Sequence, residues 1–276
     1  MYYSYMDNEK LYIEVSKALK KANIKHNTDY IDLIQREIDE SKCSKERFFL
    51  RKIIKNEKIA SFNNTPLCQD TGILNFYIYF PEKFDSFYDI ENTITEAVKD
   101  IYIKNSFRDS VRDFSGKKIE GNLPCSFLYF PTKQKELTIK FLVKGGGSEN
   151  VSTLLNMLPS SNIDDVIERI VEHFKSISDR GCPPYFAGIC IGGSMETSVV
   201  SSRIALLDID LINMDELEKK VLKRINALDV GVFGTGFGKT ALGLKIVKKP
   251  FHIASLFVAI SVCCHQFRRG IIRLKI

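Results

Sequence analysis

The sequence predicts a mixed α/β fold: a helical N-terminal layer packed on a mixed β-sheet body, with a functional site in loops at strand ends. The first 60 residues place apolar side chains at helical spacing, as in LYIEVSKALKKANI. From residue 66, apolar runs such as ILNFYIYF and LTIKFLVK alternate with helical segments. No repeat or long linker divides the chain, so we expect residues 1–276 to form one domain, with the helical layer at 1–60 and the α/β body at 61–276.

The individual elements are predicted from local patterns. HNTDYIDLIQREIDE begins with an Asn-Thr-Asp capping cluster and continues with apolar residues at helical spacing. The segment SKERFFLRKIIKNEKIA continues the helical pattern, and further helices are expected at 87–105, 163–178 and 213–229. Short apolar runs bounded by turn residues predict strands at 73–80, 125–130, 137–144, 241–247 and 255–262.

The composition is that of an ordinary globular protein, with 44% hydrophobic and 27% charged residues. No apolar run reaches the ~18 residues of a membrane span, and MYYSYMDNEKLYIEV lacks the layout of a signal peptide. The net charge of +6 is spread along the chain without a dense basic run, which argues against nucleic-acid binding. We therefore expect a cytoplasmic protein with neither membrane nor nucleic-acid partners.

The chain contains seven cysteines, an odd number that argues against a disulfide framework in a long intracellular protein. No C-x-x-C pair occurs, so spacing alone identifies no metal site. The thiols are therefore expected to be free, buried, reactive or metal-bound. In CQDTG, the polar company of Cys68 suits a thiolate better than a core residue, whereas Cys190 in AGICI has the surroundings of a core residue.

Five loops of unusual composition fall beside predicted strands or helices, where sites are commonly built: CQDTG, KGGGSEN, GCPPY, GVFGTGFGKT and CCHQ. Two of them leave alternatives open. The glycine triplet of KGGGSEN suits either an anion-binding nest or a plain flexible turn. Cys182, which precedes two prolines, is either a ligand, like the Cys-Pro step of some iron–sulfur proteins, or a buried cysteine at a rigid turn.

The loop GVFGTGFGKT ends like a phosphate-binding P-loop, G-x-x-x-x-G-K-[ST], but Phe233 stands where the first glycine is required. The preceding segment is also predicted to be a helix, whereas a P-loop follows a strand. We therefore expect a close-packed turn and not a nucleotide site. His252 lies just before a predicted strand, and a lone histidine in that position is more often structural.

Taken in order, the motifs PLCQDTG, GNLP, KGGGSEN and CPPYFAGICIGG, the glycine-rich turn before Lys-Thr, and a cysteine near the C-terminus form a specific combination. The chain resembles the N-terminal half of class I fumarases and the α-subunit of L(+)-tartrate dehydratase, from about Lys58 to Arg269. The resemblance implies a [4Fe–4S] cluster held by Cys68, Cys182 and Cys264. Three ligands on four irons leave one iron open to act as a Lewis acid.

The same resemblance implies reversible hydration of a small dicarboxylate, with fumarate to malate as the leading reaction. L(+)-tartrate dehydration to oxaloacetate is the alternative, and mesaconate is a further substrate of the class. Gln69 and Asp70 are expected to face the substrate, and Arg108, ahead of its neighbour Arg112, is expected to bind a substrate carboxylate. Gly147 is expected to offer a backbone contact. Either His252 or Asp70 is expected to protonate the leaving group.

The chain ends soon after the last implied ligand, so the resemblance predicts a separate β-subunit that carries the remaining catalytic residues, including the base. A heterotetramer or similar oligomer would follow. A function of another class, a non-catalytic iron–sulfur redox sensor, would need the three cysteines but not the accompanying polar side chains. The joint presence of Gln69, Asp70, Arg108 and His252 favours catalysis.

Cys263 and Cys264 are adjacent, and the resemblance identifies the one before His265, Cys264, as the ligand. Neighbouring side chains on a strand point to opposite faces, so we expect Cys263 to turn away into the core. A disulfide between the two would consume the ligand thiolate, and we do not expect one.

Overall fold

The mixed α/β prediction is confirmed by a computed structural model, which describes residues 7–81, 87–178 and 180–275. The chain divides into two compact units. The first unit comprises Met1–Asn27, Asn56–Gly146 and Arg268–Ile276, and the second comprises Thr28–Lys55 and Gly147–Phe267. Because the chain crosses between the units four times, each is assembled from segments that are distant in sequence.

The described residues form eight α-helices and eight β-strands, numbered in chain order. The helices are α1 (Asn8–Ile24), α2 (Thr28–Glu40), α3 (Ser44–Asn63), α4 (Phe87–Lys104), α5 (Gly146–Asn150), α6 (Ile163–Ser176), α7 (Met195–Leu207) and α8 (Glu216–Asn226). The strands are β1 (Ile73–Pro81), β2 (Ser126–Thr132), β3 (Glu136–Lys144), β4 (Thr153–Met157), β5 (Tyr185–Ile191), β6 (Ala241–Lys248), β7 (Leu256–Cys263) and β8 (Arg268–Lys275).

Several helices begin where a short polar side chain caps the first turn. Asp7 Oδ1 accepts a hydrogen bond from the backbone N–H of Lys10 at 2.9 Å at the start of α1. Reciprocal capping boxes open α6, α7 and α8, with Asn162, Ser194 and Asp215 as the N-cap residues. Such caps satisfy backbone N–H groups that lack a partner within the helix, and so they fix where each helix starts.

The first unit contains a four-stranded sheet in the order β2-β1-β3-β8. β1 pairs with β2 in parallel and with β3 antiparallel, and β8 is antiparallel to β3. Helix α1 packs against α4 and β8. Burial of apolar side chains such as Val15, Ile94, Phe76 and Phe141 stabilises this arrangement. The loop that leads into β1 carries CQDTG, so the sheet is the support of that motif.

The second unit contains a four-stranded sheet in the order β4-β7-β5-β6, in which β5 is parallel to β6 and antiparallel to β7. Helix α7 packs on β5 and β7, and α8 packs on α6 and β6. At Gly188 the sheet approaches α7 so closely that a Cβ atom would collide with the backbone of Ser202 and Leu206. This sheet carries the CPP loop before β5 and the paired cysteines at the end of β7.

The predicted helices and strands are confirmed, whereas α5, β4, β5, α7 and β8 are not among the predicted elements. Helix α7 buries three serines, Ser198, Ser201 and Ser202, and its buried apolar residues are confined to its C-terminal end. Strand β8 opens with two arginines, of which Arg268 is buried. The first six residues of the predicted helical layer lie outside the described residues. None of the described helices combines the length and apolar composition needed to cross a bilayer.

Candidate active site

The CQDTG loop of the first unit is fixed by the carboxylate of Asp70. Its Oδ1 accepts the backbone N–H of Gly72 at 3.0 Å, and its Oδ2 accepts the backbone N–H of Gly146 at 2.7 Å. A Cβ atom on Gly145 would lie 2.8 Å from Asp70 Oδ2. Glycine at position 145 therefore leaves room for the carboxylate, and one N–H of the glycine triplet binds this side chain.

The main chain around the same loop is held by buried polar groups. The Tyr102 hydroxyl donates to the Thr71 carbonyl at 2.7 Å, and the Thr71 hydroxyl donates to the Arg108 carbonyl. Burial raises the pKa of Tyr102 to about 12, although the Arg268 guanidinium lowers it, so this hydroxyl keeps its proton at neutral pH. The loop is therefore joined directly to the segment that carries Arg108.

Asn122, from the motif GNLP, is fully buried and makes a second connection between these segments. Its Nδ2 donates to the Gly72 carbonyl, and its Oδ1 accepts the backbone N–H groups of Ser110 at 2.7 Å and Val111 at 3.1 Å. Its backbone φ of +61° lies in the left-handed region, which asparagine tolerates better than most residues. Asn122 thus positions both sides of the cavity described next.

A cavity of about 320 Å³ lies in the first unit beside these loops. It brings together Gln69, Asp70 and Arg108, which were predicted as substrate-binding residues, and also includes Arg112. The rest of the lining consists of Ile73, Asp109, Ser110 and Gly146. The two guanidinium groups can bind a small dianion through charge-assisted, bidentate hydrogen bonds, and the Gln69 amide can add a neutral one, while the carboxylates of Asp70 and Asp109 accept backbone N–H groups. Of the glycine triplet, Gly146 lines this cavity, and both Gly146 and Gly147 are exposed.

In the second unit, His265 joins the loops of Cys182 and Cys264. Its backbone N–H lies 3.1 Å from the Cys182 carbonyl oxygen, and its ring Nδ1 lies 3.0 Å from the same atom. The Tyr30 hydroxyl donates to the His265 carbonyl at 2.5 Å. Because His265 follows Cys264 directly, these contacts fix the main chain at both cysteines. The Cys182 side chain itself is exposed.

The glycine-rich loop GVFGTGFGKT braces the same region. Phe233 donates its backbone N–H to the Pro183 carbonyl at 2.8 Å, and its ring lies 4.9 Å from the His265 ring, nearly perpendicular to it. Phe233 has a φ of +56°, an uncommon conformation for a bulky residue. Lys239, the counterpart of a P-loop lysine, pairs with Glu37 at 2.5 Å. The loop therefore has the close-packed conformation expected from its sequence.

Cys263 and Cys264 form no disulfide and have different surroundings. Cys263 is 1% exposed, as predicted for a core residue. β7 ends at Cys263, so strand alternation does not reach Cys264, whose backbone N–H donates to Ser148 Oγ at 3.1 Å. The neighbouring Cys263 side chain lowers the pKa of the Cys264 thiol well below its ordinary value; burial opposes this effect and His265 adds to it. The Cys263 thiol donates to the Gln266 carbonyl at 3.8 Å, and its turning away from Cys264 stays a prediction.

The other two predicted site residues lie in different surroundings. Cys68 is half-buried in the first unit, directly before Gln69. His252 is exposed in the second unit, between β6 and β7, and its Nδ1 accepts the backbone N–H of Ala254 at 3.1 Å. With Nδ1 as an acceptor, the neutral ring carries its proton on Nε2. A proton available for transfer would therefore be on Nε2 of His252.

Among residues 7–81, 87–178 and 180–275, no three or more His, Cys, Asp or Glu side chains are gathered so as to hold a single metal ion. The predicted ligands of an iron–sulfur cluster would each bind a different iron atom, so their sulfur atoms need not meet around one ion.

Four residues with a role at these loops were missed by sequence reasoning: Asn122, Ser148, Tyr102 and Arg268. Asn122 and Ser148 belong to GNLP and KGGGSEN, which were recognised as motifs, so their polar side chains were available as a signal. Tyr102 and Arg268 contact the CQDTG loop from positions 31 and 198 residues away from their partners. No local pattern identifies such long-range contacts.

Comparisons with known proteins confirm the resemblance. The family profile described as fumarate hydratase (Fumerase) matches residues 13–273. A Methanocaldococcus jannaschii protein, provisionally named L(+)-tartrate dehydratase subunit alpha, is 31% identical over 243 residues, which are 82% of this chain and 84% of that protein. The L(+)-tartrate dehydratase alpha subunits of Escherichia coli K12 and O157:H7 are 24% and 25% identical over 252 residues, or 88% of this chain and 83% of each relative. Because the profile covers nearly the whole sequence, the chain belongs to the fumarate hydratase (Fumerase) family of hydro-lyases.

Proposed function

We propose that this chain is the α-subunit of a [4Fe–4S]-dependent hydro-lyase that reversibly hydrates fumarate to malate. Family membership supports the hydro-lyase class, and the alpha-subunit names of the relatives support a subunit role. The observation that carries the proposal is the cavity of the first unit, where Arg108 and Arg112 lie beside Gln69 and Asp70. A pair of guanidinium groups in one small cavity offers one charge-assisted partner to each carboxylate of a dicarboxylate.

Cys68, Cys182 and Cys264 are the proposed cluster ligands. None of the three forms a disulfide, and thiolates are the usual protein ligands of iron–sulfur clusters. The lowered pKa of Cys264 favours the thiolate form that such a ligand requires. When bound, a cluster with three protein ligands supplies an iron with an open position, which is a Lewis acid for the substrate hydroxyl. Free thiols and an oxygen-sensitive cluster both fit a cytoplasmic location.

The residues of this chain would bind the substrate and move one proton. Arg108 and Arg112 would bind carboxylate oxygens, and the exposed amide of Gln69 would add a neutral hydrogen bond. Both oxygens of Asp70 already accept backbone N–H groups, so we assign this carboxylate a positioning role. The Nε2–H group of His252 is then the proposed proton donor to the leaving hydroxyl. Gly147 remains a proposed backbone contact.

The remaining groups, including the base, would come from a β-subunit. The relatives from M. jannaschii and E. coli are named as alpha subunits, which supports a partner and an oligomer such as a heterotetramer. L(+)-Tartrate is the second candidate substrate, because the names of these relatives specify it. Dehydration of tartrate gives oxaloacetate by the same chemistry. A redox-sensing role would not require Arg108 and Arg112 in the cavity.

The test is anaerobic co-expression with a candidate β-subunit, followed by assays of fumarate hydration, L(+)-tartrate dehydration and mesaconate hydration. We expect turnover in the complex and little in the chain alone. Arg108→Met should raise KM about tenfold, because one charge-assisted carboxylate contact is lost, with iron and sulfide content unchanged. Arg273→Met, on β8 and paired with Glu136, is the control. A fully loaded complex that turns over none of the three substrates would refute the proposal.

A further inference from the structure

Arg268, the first residue of β8, carries a guanidinium group buried in the first unit. Its side chain is 3% exposed. Nη2 donates to the Asp70 carbonyl at 2.9 Å, and Nη1 donates to Asn23 Oδ1 at 3.2 Å. Its third nitrogen, Nε, is buried and has no hydrogen-bond partner among the described residues. The group thus contacts the main chain of the CQDTG loop with only part of its donor capacity in use.

The partners of this cation are neutral. Asp70 contributes its backbone carbonyl, Asn23 contributes an amide oxygen, and the adjacent Tyr102 keeps its proton because burial raises its pKa to about 12. Among the residues that the structure describes, no ion pair involves Arg268. A buried charge without a counter-charge is costly, so a protein normally supplies one. Hydrogen bonds to a carbonyl and an amide could also be made by a neutral side chain.

This inference rests on the proposed function, in which the cluster and the substrate would supply the missing counter-charge. Cys68 would bring a thiolate bound to the anionic cluster to the same loop, and the substrate would bring two carboxylates to the cavity that Gln69 and Asp70 line. Both place negative charge beside the loop that Arg268 contacts. Hydrogen bonds and net charge near a cluster also set its reduction potential.

We propose that Arg268 is the buried cation that balances the negative charge that the cluster and the substrate bring to the CQDTG loop. It is a positioning residue, since it acts through the main chain of Asp70 and does not line the cavity. Its neighbour Arg269 is half-buried, and its carbonyl accepts a hydrogen bond from Asn27 at 3.3 Å. Arg269 therefore offers a control on the same strand.

The test compares Arg268→Lys, which keeps the charge, with Arg268→Gln, which keeps a hydrogen-bond donor but loses the charge. In the complex with the β-subunit, the reduction potential of the cluster is measured by EPR-monitored titration, together with KM and kcat for fumarate. We expect Arg268→Gln to shift the potential to more negative values and to raise KM about tenfold. Arg268→Lys and Arg269→Gln should remain close to the unmodified protein. Equal behaviour of the Lys and Gln variants would overturn the proposal.

If Arg268→Gln assembles poorly with the β-subunit, the unfolding temperature of the cluster-free chain provides a second test. In the cluster-free chain the counter-charge is absent, so Arg268→Gln should unfold at the same temperature as the unmodified chain or at a higher one. A large loss of thermal stability in the cluster-free Arg268→Gln chain would mean that the arginine is structural, and it would overturn the proposal. Failure of the unmodified complex to bind iron and sulfide would instead refute the proposed function itself.

Discussion

The backbone N–H of His265 and its ring Nδ1 lie 3.1 Å and 3.0 Å from one atom, the carbonyl oxygen of Cys182. One histidine therefore ties together the main chain at two of the proposed cluster ligands, Cys182 and Cys264. Phe233 strengthens the connection, since its ring packs edge-on against His265 and its N–H binds Pro183. The glycine-rich loop GVFGTGFGKT, whose sequence is similar to a nucleotide-binding motif, therefore supports the contact between His265 and the Cys182 carbonyl.

The first prediction is that His265→Ala weakens cluster retention. The variant keeps the backbone hydrogen bond to Cys182 but loses the ring contact and the packing against Phe233, a loss of about 1–2 kcal/mol. We expect the cluster to be lost in air about tenfold faster, followed by its absorbance and by iron and sulfide analysis. His252→Ala is the matched control, and it should keep the cluster while lowering turnover. If His265→Ala and His252→Ala lost the cluster at the same rate, His265 would not be what holds the Cys182 and Cys264 loops together.

The second prediction separates the paired cysteines. Cys264→Ser should abolish the cluster, whereas Cys263→Ala should retain it and lower the free energy of unfolding by about 1 kcal/mol, because a small buried side chain is trimmed. Iron and sulfide content measures the first effect, and urea unfolding measures the second. If Cys263→Ala lost the cluster while Cys264→Ser kept it, the assignment of the ligand would have to be reversed.

The third prediction concerns thiol reactivity in the cluster-free folded chain. Burial raises the pKa of Cys125 to about 12, so at about pH 8 roughly one molecule in ten thousand carries its thiolate. Cys182 is exposed and should react with iodoacetamide far faster. Peptide mass spectrometry after timed labelling compares the two sites, with the urea-unfolded chain as the reference for equal reactivity. Rapid labelling of Cys125 in the folded chain would mean that its burial is not maintained.

Sequence patterns predict the elements that have helical apolar spacing or a long apolar run, and they miss elements that have neither. α6 and α8 have strong apolar stripes, and β1 and β3 are long apolar runs. α7 lacks such a stripe because its inner face carries serines. The division into two units also leaves no trace in composition, because the chain crosses between them four times without a linker.

In the candidate site as well, the sequence identifies single residues but not the long-range contacts that hold them. The family resemblance implies Gln69, Asp70 and Arg108 as substrate-binding residues, and the structure brings these three to one cavity. The groups that hold them come from distant positions: Gly146 is 76 residues from Asp70, and Arg268 is 198 residues away. A motif reports local residue types, whereas these contacts depend on the order of strands in the sheet.

The fourth prediction concerns pH. Burial of His173 on α6 lowers its pKa from 6.5, and its hydrogen bond to the Val151 carbonyl opposes this shift. The unfolded chain therefore binds a proton at a higher pH than the folded chain, so stability falls as the pH drops through 6.5 toward the lowered folded-state pKa. Above this window the group has no effect. His173→Gln should reduce the change in urea midpoint between about pH 8 and about pH 5.5. An unchanged pH dependence in His173→Gln would refute the assignment.

The fifth prediction tests the contact between Asp70 and the glycine triplet. In Gly145→Ala the new methyl group would lie 2.8 Å from Asp70 Oδ2, whereas in Gly147→Ala it would meet nothing within 4 Å. We expect Gly145→Ala to lower the free energy of unfolding by about 1–2 kcal/mol through overpacking. Gly147→Ala, inside α5, should be neutral or stabilising by up to about 1 kcal/mol because alanine favours helix.

A double-mutant cycle with Asp70→Ala identifies the cause of the Gly145 effect. If the carboxylate is what the new methyl group meets, Gly145→Ala should cost little in the Asp70→Ala background, since the opposing oxygen is gone. The coupling energy should then approach the full cost of the single substitution, about 1–2 kcal/mol by urea unfolding. An additive result would show that Gly145 is required for a reason other than room for Asp70, and the link between CQDTG and the glycine triplet would then depend on the Gly146 N–H alone.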